Sequence, residues 1–162
     1  MIRKINISTP KIKKKDVKNI NPSLFKQSNQ VSMTNQLYLN EDFEDKKRVS
    51  NAIKKKLNSY KSQDTKKNKY IHTTFIKYND VLEKLVISRL LCKYCRVVTL
   101  IMYENKREPT QWTLDRIDNA LGHSNANTVI CCLKCNLNRR CINDEKFKFT
   151  KQMRLIKKNK DK

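Results

Sequence analysis

Two Cys-x-x-Cys pairs, Cys92/Cys95 and Cys132/Cys135, constrain this chain more than any other feature it has. Each pair can set two thiolates on one tight turn, and two such turns supply the four sulfurs of a closed tetrahedral zinc site. The segment between them then becomes a loop pinned at both ends. Six cysteines are also an even number, so a disulfide framework is the competing reading. The first residues carry no apolar signal-peptide core, which points to a reducing, intracellular compartment, nucleus or cytoplasm, where paired cysteines bind metal. A structural zinc on Cys92, Cys95, Cys132 and Cys135 is therefore expected. Cys131 and Cys141 are left over; Cys131 is spaced less well for the turn, and plain burial is expected for both.

A chain of 162 residues, 38% of them hydrophobic, packs only a small core, and a metal staple suits that size. Its net charge of +22 exceeds what solubility requires and attracts polyanions through phosphate contacts and counterion release. Nucleic acid is the expected partner. A membrane surface is disfavoured, since no apolar run approaches the roughly 18 residues of a span. The charge is spread evenly: residues 1–67 hold 17 Lys/Arg against 6 Asp/Glu, residues 68–162 hold 20 against 9, and each part nets +11. Basicity in the sequence singles out no binding face.

The first forty residues alternate lysine with small polar residues and show no period, so a flexible basic arm is expected. Val49, Ala52, Ile53, Leu57 and Tyr60 predict a helix over 41–60 capped by Asn40, followed by a polar linker at 62–69. Asp80-x-x-Glu83 predicts a reciprocal cap opening a helix through Leu90, with Val81, Leu82, Leu85 and Val86 on its core face. The β-branched run 97–103 predicts a first strand and 111–117 a second. Gly122, the only glycine, is expected to need a positive φ in the loop beyond. A helix is expected to start near Asn136. The organisation is thus an α+β chain: arm, helix and linker over 1–67, a zinc module over 68–150 and a basic tail over 151–162.

Unusual polar residues crowd the pinned loop: Asp115, Arg116, Asp118, His123 and Asn127, with Asn136 directly after the last paired cysteine. A divalent cation on hard oxygen ligands such as Asp115 and Asn136 can activate a phosphodiester, so the arrangement reads as a nuclease core. Cys-x-x-Cys, Leu114-Asp-Arg-Ile-Asp-Asn-Ala-Leu-Gly-His123, Asn127, Cys132-x-x-Cys135-Asn136 and the basic pair Arg139-Arg140 together resemble the zinc-containing branch of the HNH (ββα-metal) endonucleases. The resemblance covers about residues 88–142.

It implies a ββα module in which Asp115, helped by Asn136, binds a catalytic Mg²⁺ or Mn²⁺, zinc is purely structural, and Asn127 steadies the loop by hydrogen bonds. It also implies a general-base histidine directly after the aspartate, and this chain has Arg116 there, which stays protonated and accepts no proton. His123, which titrates near neutrality, and Asp118 are the candidate substitutes, with Arg116 placed to stabilise charge on the phosphate. Against this, His123 can be a loop residue capping a turn, and Arg116 can pair with Asp118. His72 reads as surface or core packing. The expected function is metal-dependent cleavage of DNA. The competing readings are a protein of the same fold that binds or packages nucleic acid without cutting it, and a structural component of a ribonucleoprotein.

Overall fold

The structure, a computed structural model, describes residues 21–153; the expectations for residues 1–20 of the arm and 154–162 of the tail lie outside the described residues. It is a mixed α/β arrangement of five helices and a two-stranded antiparallel sheet. A 3₁₀ turn, Pro22–Phe25, leads into α1 (Gln27–Tyr38). So residues 22–38 of the expected arm are helical. The helix is hard to read because two of its four buried positions, Gln30 and Thr34, are polar, alongside Met33 and Leu37. Spacing of i, i+3, i+4 and i+7 still makes one buried stripe.

Gln30 explains the polar stripe and corrects the first expected strand. Its Nε2 donates to the Met102 carbonyl at 2.9 Å, and its Oε1 accepts from the Ile101 and Met102 amides at 2.6 and 3.0 Å. These side-chain bonds replace ladder bonds, so 97–103 forms no strand and keeps only isolated bridges, Leu91 with Val98 and Leu100 with Gln111. High β propensity there is overridden by tertiary partners.

Helix α2 (Lys46–Lys66) starts later than expected and runs through most of the expected linker. Asn40 does not cap it: Asn40 itself has φ 59°, and Asp45 stands at the N-cap with φ 66° and no side-chain cap bond. Val49, Ile53, Tyr60 and Asp64 form its buried face. Helix α3 (Tyr78–Ile87) starts two residues before Asp80, whose carboxylate reaches back to accept from the Lys77 amide at 2.9 Å. Asp80 therefore fills the third helical position, the role the sequence reading gave to Glu83.

The hairpin consists of β1 (Trp112–Arg116) and β2 (Thr128–Cys132), paired in the register Trp112 to Cys132 and Arg116 to Thr128. The second expected strand is thus the first real one, and its partner is the run directly before the second Cys-x-x-Cys. Helix α4 (Leu133–Arg139) follows at once, starting three residues before Asn136, and α5 (Asp144–Gln152) reaches the first two residues of the expected basic tail. Alternation splits the hairpin between two neighbourhoods. Trp112, Leu114 and Ile130 join Leu24, Leu37, Ile53, Tyr60, Ile76 and Leu85 in one core. Cys131 and Val129 lie in a second cluster with Tyr94, Phe147, Cys92, Cys132 and Cys135. Residues on both sides of position 67 share the first core, so no boundary in packing falls there.

Gly122 is required by space rather than by dihedral. No glycine among the described residues has positive φ, whereas a Cβ at Gly122 would lie 2.3 Å from the Lys69 carbonyl oxygen.

Candidate metal centre and polar loop

The turn after α3 and the start of α4 each contribute one cysteine pair. Cys92, Cys95, Cys132 and Cys135 bring their Sγ atoms within 4.8 Å of one another, and Cys95 and Cys132 stand 3.8 Å apart. Zn–S bonds of 2.3 Å in tetrahedral geometry require sulfurs about 3.8 Å apart, so the four residues fit zinc. Cys95 is the least buried of them and Cys92 is wholly enclosed. Cys132 is pushed up and Cys92 pulled down by the hydrogen bond between them, and burial pushes Cys135 up to about 12. A cation at the centre would favour the thiolate form of all four and make this a closed, structural site. Cys131 stays outside it, its buried thiol 3.1 Å from Thr113 Oγ1, while Cys141 is exposed.

Asp115 is buried, but not as an open metal ligand. Arg139 Nε donates to its Oδ2 at 2.5 Å and Arg139 Nη2 to its Oδ1 at 2.9 Å, while the Tyr94 hydroxyl donates to Oδ2 at 2.6 Å. Arg139, 1% exposed, spends its other donors on the Ile142 and Arg116 carbonyls and on Asn119 Oδ1. Burial, and then the hydrogen bond to Asp115, hold the Tyr94 phenol well above its usual range. Asn136 turns its amide nitrogen to Thr113 Oγ1 and the Leu114 carbonyl, at 3.1 and 3.3 Å. A hard divalent cation needs free anionic oxygens. With both Asp115 oxygens engaged in a bidentate pair, Asp115 and Asn136 as arranged do not fit Mg²⁺ or Mn²⁺.

The loop residues fall out differently. Asn127 Oδ1 accepts from the Asp118 amide at 2.8 Å, and its Nδ2 donates to the Asp118 and Gly122 carbonyls, so it ties the loop together. His123 does not cap a turn. Its backbone amide and ring Nδ1 both bond the Asp64 carboxylate, at 2.6 and 2.8 Å, and its ring packs on Tyr60 with centroids 4.7 Å apart. Burial holds its imidazole below the ordinary range, partly opposed by Asp64. Among the described residues Arg116 and Asp118 form no ion pair. Arg116 Nη1 donates to the Leu121 carbonyl, and Asp118 Oδ1 accepts from the Ala120 amide. His72 is exposed beside Tyr70.

Three residues that shape this region were not singled out by sequence reasoning: Asp64, Tyr94 and the buried role of Arg139. Only Arg139 carried a signal, as half of a basic pair. No family model, curated protein or solved structure matches the chain. Among the described residues no helix is long and apolar enough to cross a membrane.

Proposed function

We propose that this chain is a zinc-stapled, HNH-like ββα protein that binds nucleic acid, most favourably DNA, without cutting it. The observation that carries this reading is the bidentate pair between Arg139 and Asp115, completed by Tyr94. It closes the one carboxylate of the hairpin that a catalytic cation would need. The histidine available as a base, His123, is buried with its Nδ1 held by Asp64, which leaves only Nε2 to take a proton. Binding is supported by the net charge of +22, which recruits phosphates whatever the base sequence.

Cleavage is the second reading, favoured by the order hairpin then helix and by the three loop bonds of Asn127. It requires Arg139 to release Asp115. The deciding experiment takes full-length zinc-loaded protein, titrates it against duplex DNA at several salt concentrations, and incubates it with supercoiled and branched DNA in Mg²⁺ or Mn²⁺. Salt-sensitive binding without nicks is expected. Nicking that Asp115→Asn removes while binding persists would assign the chain to the endonucleases.

A further inference from the structure

Charge that is evenly spread in the sequence is concentrated in the fold along one helix. Helix α2 has the sequence KKRVSNAIKKKLNSYKSQDTK, in which Asp64 is the only carboxylate, and that carboxylate is buried against His123. Its solvent face therefore carries cations and no anion. Lys47, Lys54 and Lys61 recur every seven residues and lie on one line, about 10 Å apart at 1.5 Å per residue. Asn51 and Asn58 stand between them, and Lys55 lies alongside, all exposed.

This distribution is not what a solvated helix face needs. Exposed helices usually intersperse acids and bases at i, i+4 spacing, and α3 and α5 do carry acids, Asp80 and Glu83 on one, Asp144 and Glu145 on the other. The first turn of α2 has no acid, and cations sit at its positive end, where the helix dipole disfavours them. Lys46 and Arg48 are offset by Asp42 and Asp45, at 3.1 and 3.5 Å. Among the described residues no carboxylate lies within ion-pair distance of Lys47, Lys54, Lys55 or Lys61. Lys56 is different: its ammonium turns inward to Gln111 Oε1 and the Trp112 carbonyl. Lys54 and Lys61 have ring contacts, over Tyr78 and Tyr70 at 5.3 and 5.0 Å, but these neutralise no charge and leave it for an external polyanion.

We propose that the solvent face of α2 is the docking surface for the phosphate backbone of duplex DNA, with Lys47, Lys54, Lys55 and Lys61 neutralising phosphates and Asn51 and Asn58 donating hydrogen bonds to them. The inference rests on the nucleic-acid reading above and gives it a location. A rigid helix of about 30 Å matches a stiff, linear array of charges. Single strands are held by aromatic platforms as well as cations; the outward line of α2 has no aromatic residue of its own, and the rings beside it, Tyr78 and Tyr70, are half-buried and covered by Lys54 and Lys61 at 5.3 and 5.0 Å. Lysines without arginine partners read charge rather than base identity, so recognition here is independent of sequence.

The test compares three full-length, zinc-loaded proteins on a labelled mixed-sequence duplex: wild type, a variant with Lys47, Lys54, Lys55 and Lys61 each changed to Gln, and a control with the exposed Lys106, Lys134, Lys146 and Lys151 each changed to Gln. Both variants lose the same charge, and Lys→Gln is nearly neutral in helix propensity. Equal zinc content and circular dichroism establish that each is folded. The α2 variant is expected to bind at least about tenfold more weakly at moderate salt, with a log–log salt slope smaller by about two or more, each lost phosphate contact removing about 0.9. The control is expected to keep most of the wild-type slope. Equal losses in both variants would mean diffuse attraction and overturn the assignment, as would an α2-dependent preference for the corresponding single strand. Wild type that fails to bind any nucleic acid would instead overturn the functional reading itself, and this inference with it.

Discussion

Asp64 and His123, 59 residues apart, form a two-bond latch in which one carboxylate takes both the backbone amide and the ring Nδ1 of the histidine. An ionised carboxylate only accepts, so Nδ1 carries the proton and the imidazole is neutral when Nε2 is bare. Helix α2 is thereby fastened to the loop that follows β1.

The latch makes stability depend on pH in a definite direction. Burial keeps the folded His123 below its ordinary value of 6.5, so between the two values the unfolded chain binds a proton that the folded chain does not. The contribution is complete above about pH 6.5 and is lost as pH falls through the folded value. His123→Gln is expected to lower stability by about 1–3 kcal/mol at pH 7.5. It should also flatten the decline as pH falls below about 6.5. Urea midpoints of both proteins across that range check this; parallel curves would show that His123 does not titrate with folding.

The pair between Asp115 and Arg139 lends itself to a double-mutant cycle. Arg139→Met alone leaves a buried carboxylate with only the Tyr94 hydroxyl and is expected to cost about 3–5 kcal/mol, whereas Asp115→Leu with Arg139→Met removes both charges and should cost clearly less. Denaturant unfolding measures both. Additive losses would mean that the two side chains are not coupled.

One tightly held zinc per chain is expected, and chelation is expected to abolish cooperative unfolding. Cys132→Ser should reduce both metal content and fold, while Cys131→Ala, outside the four-sulfur cluster, should retain one zinc. Elemental analysis of the purified variants decides it. Loss of zinc from Cys131→Ala would show that the adjacent cysteine is a ligand.

Gly122→Ala tests whether space or dihedral selects the glycine. Contact with the Lys69 carbonyl is expected to cost about 1–3 kcal/mol, as overpacking does, and leave zinc content unchanged. A thermal midpoint equal to wild type would mean that the chain around Lys69 yields freely.

How much of this was legible depends on how local each cause is. The cysteine cluster is legible because Cys-x-x-Cys spacing alone brings those thiols together, while the loop bonds of Asn127 follow only from the family resemblance. Thr128–Cys132 is hard to read as a strand because it runs straight into the second cysteine pair, and 97–103 reads as one because nothing nearby announces that Gln30, some seventy residues earlier, takes its amides. The same distance hides Asp64 from His123. Asp115 was read as a ligand since its residue type suits a metal, and only the fold reveals that Arg139 reaches it first. The basic face of α2 was invisible in charge counts, which do not distinguish Lys56 turned inward from Lys54 and Lys55 turned out.

The hairpin has two occupied faces, Trp112, Leu114 and Ile130 turned to the helical core and Asp115 and Cys131 to the metal side. Two strands are not stable alone in water. Neither neighbourhood can therefore keep its wall if the other dissolves, and the chain is built to lose both in a single cooperative step. A metal held by the four cysteines would then act on α2 from a distance: its removal would take away the Trp112 and Leu114 surface on which that helix rests, and with it any binding the lysines provide.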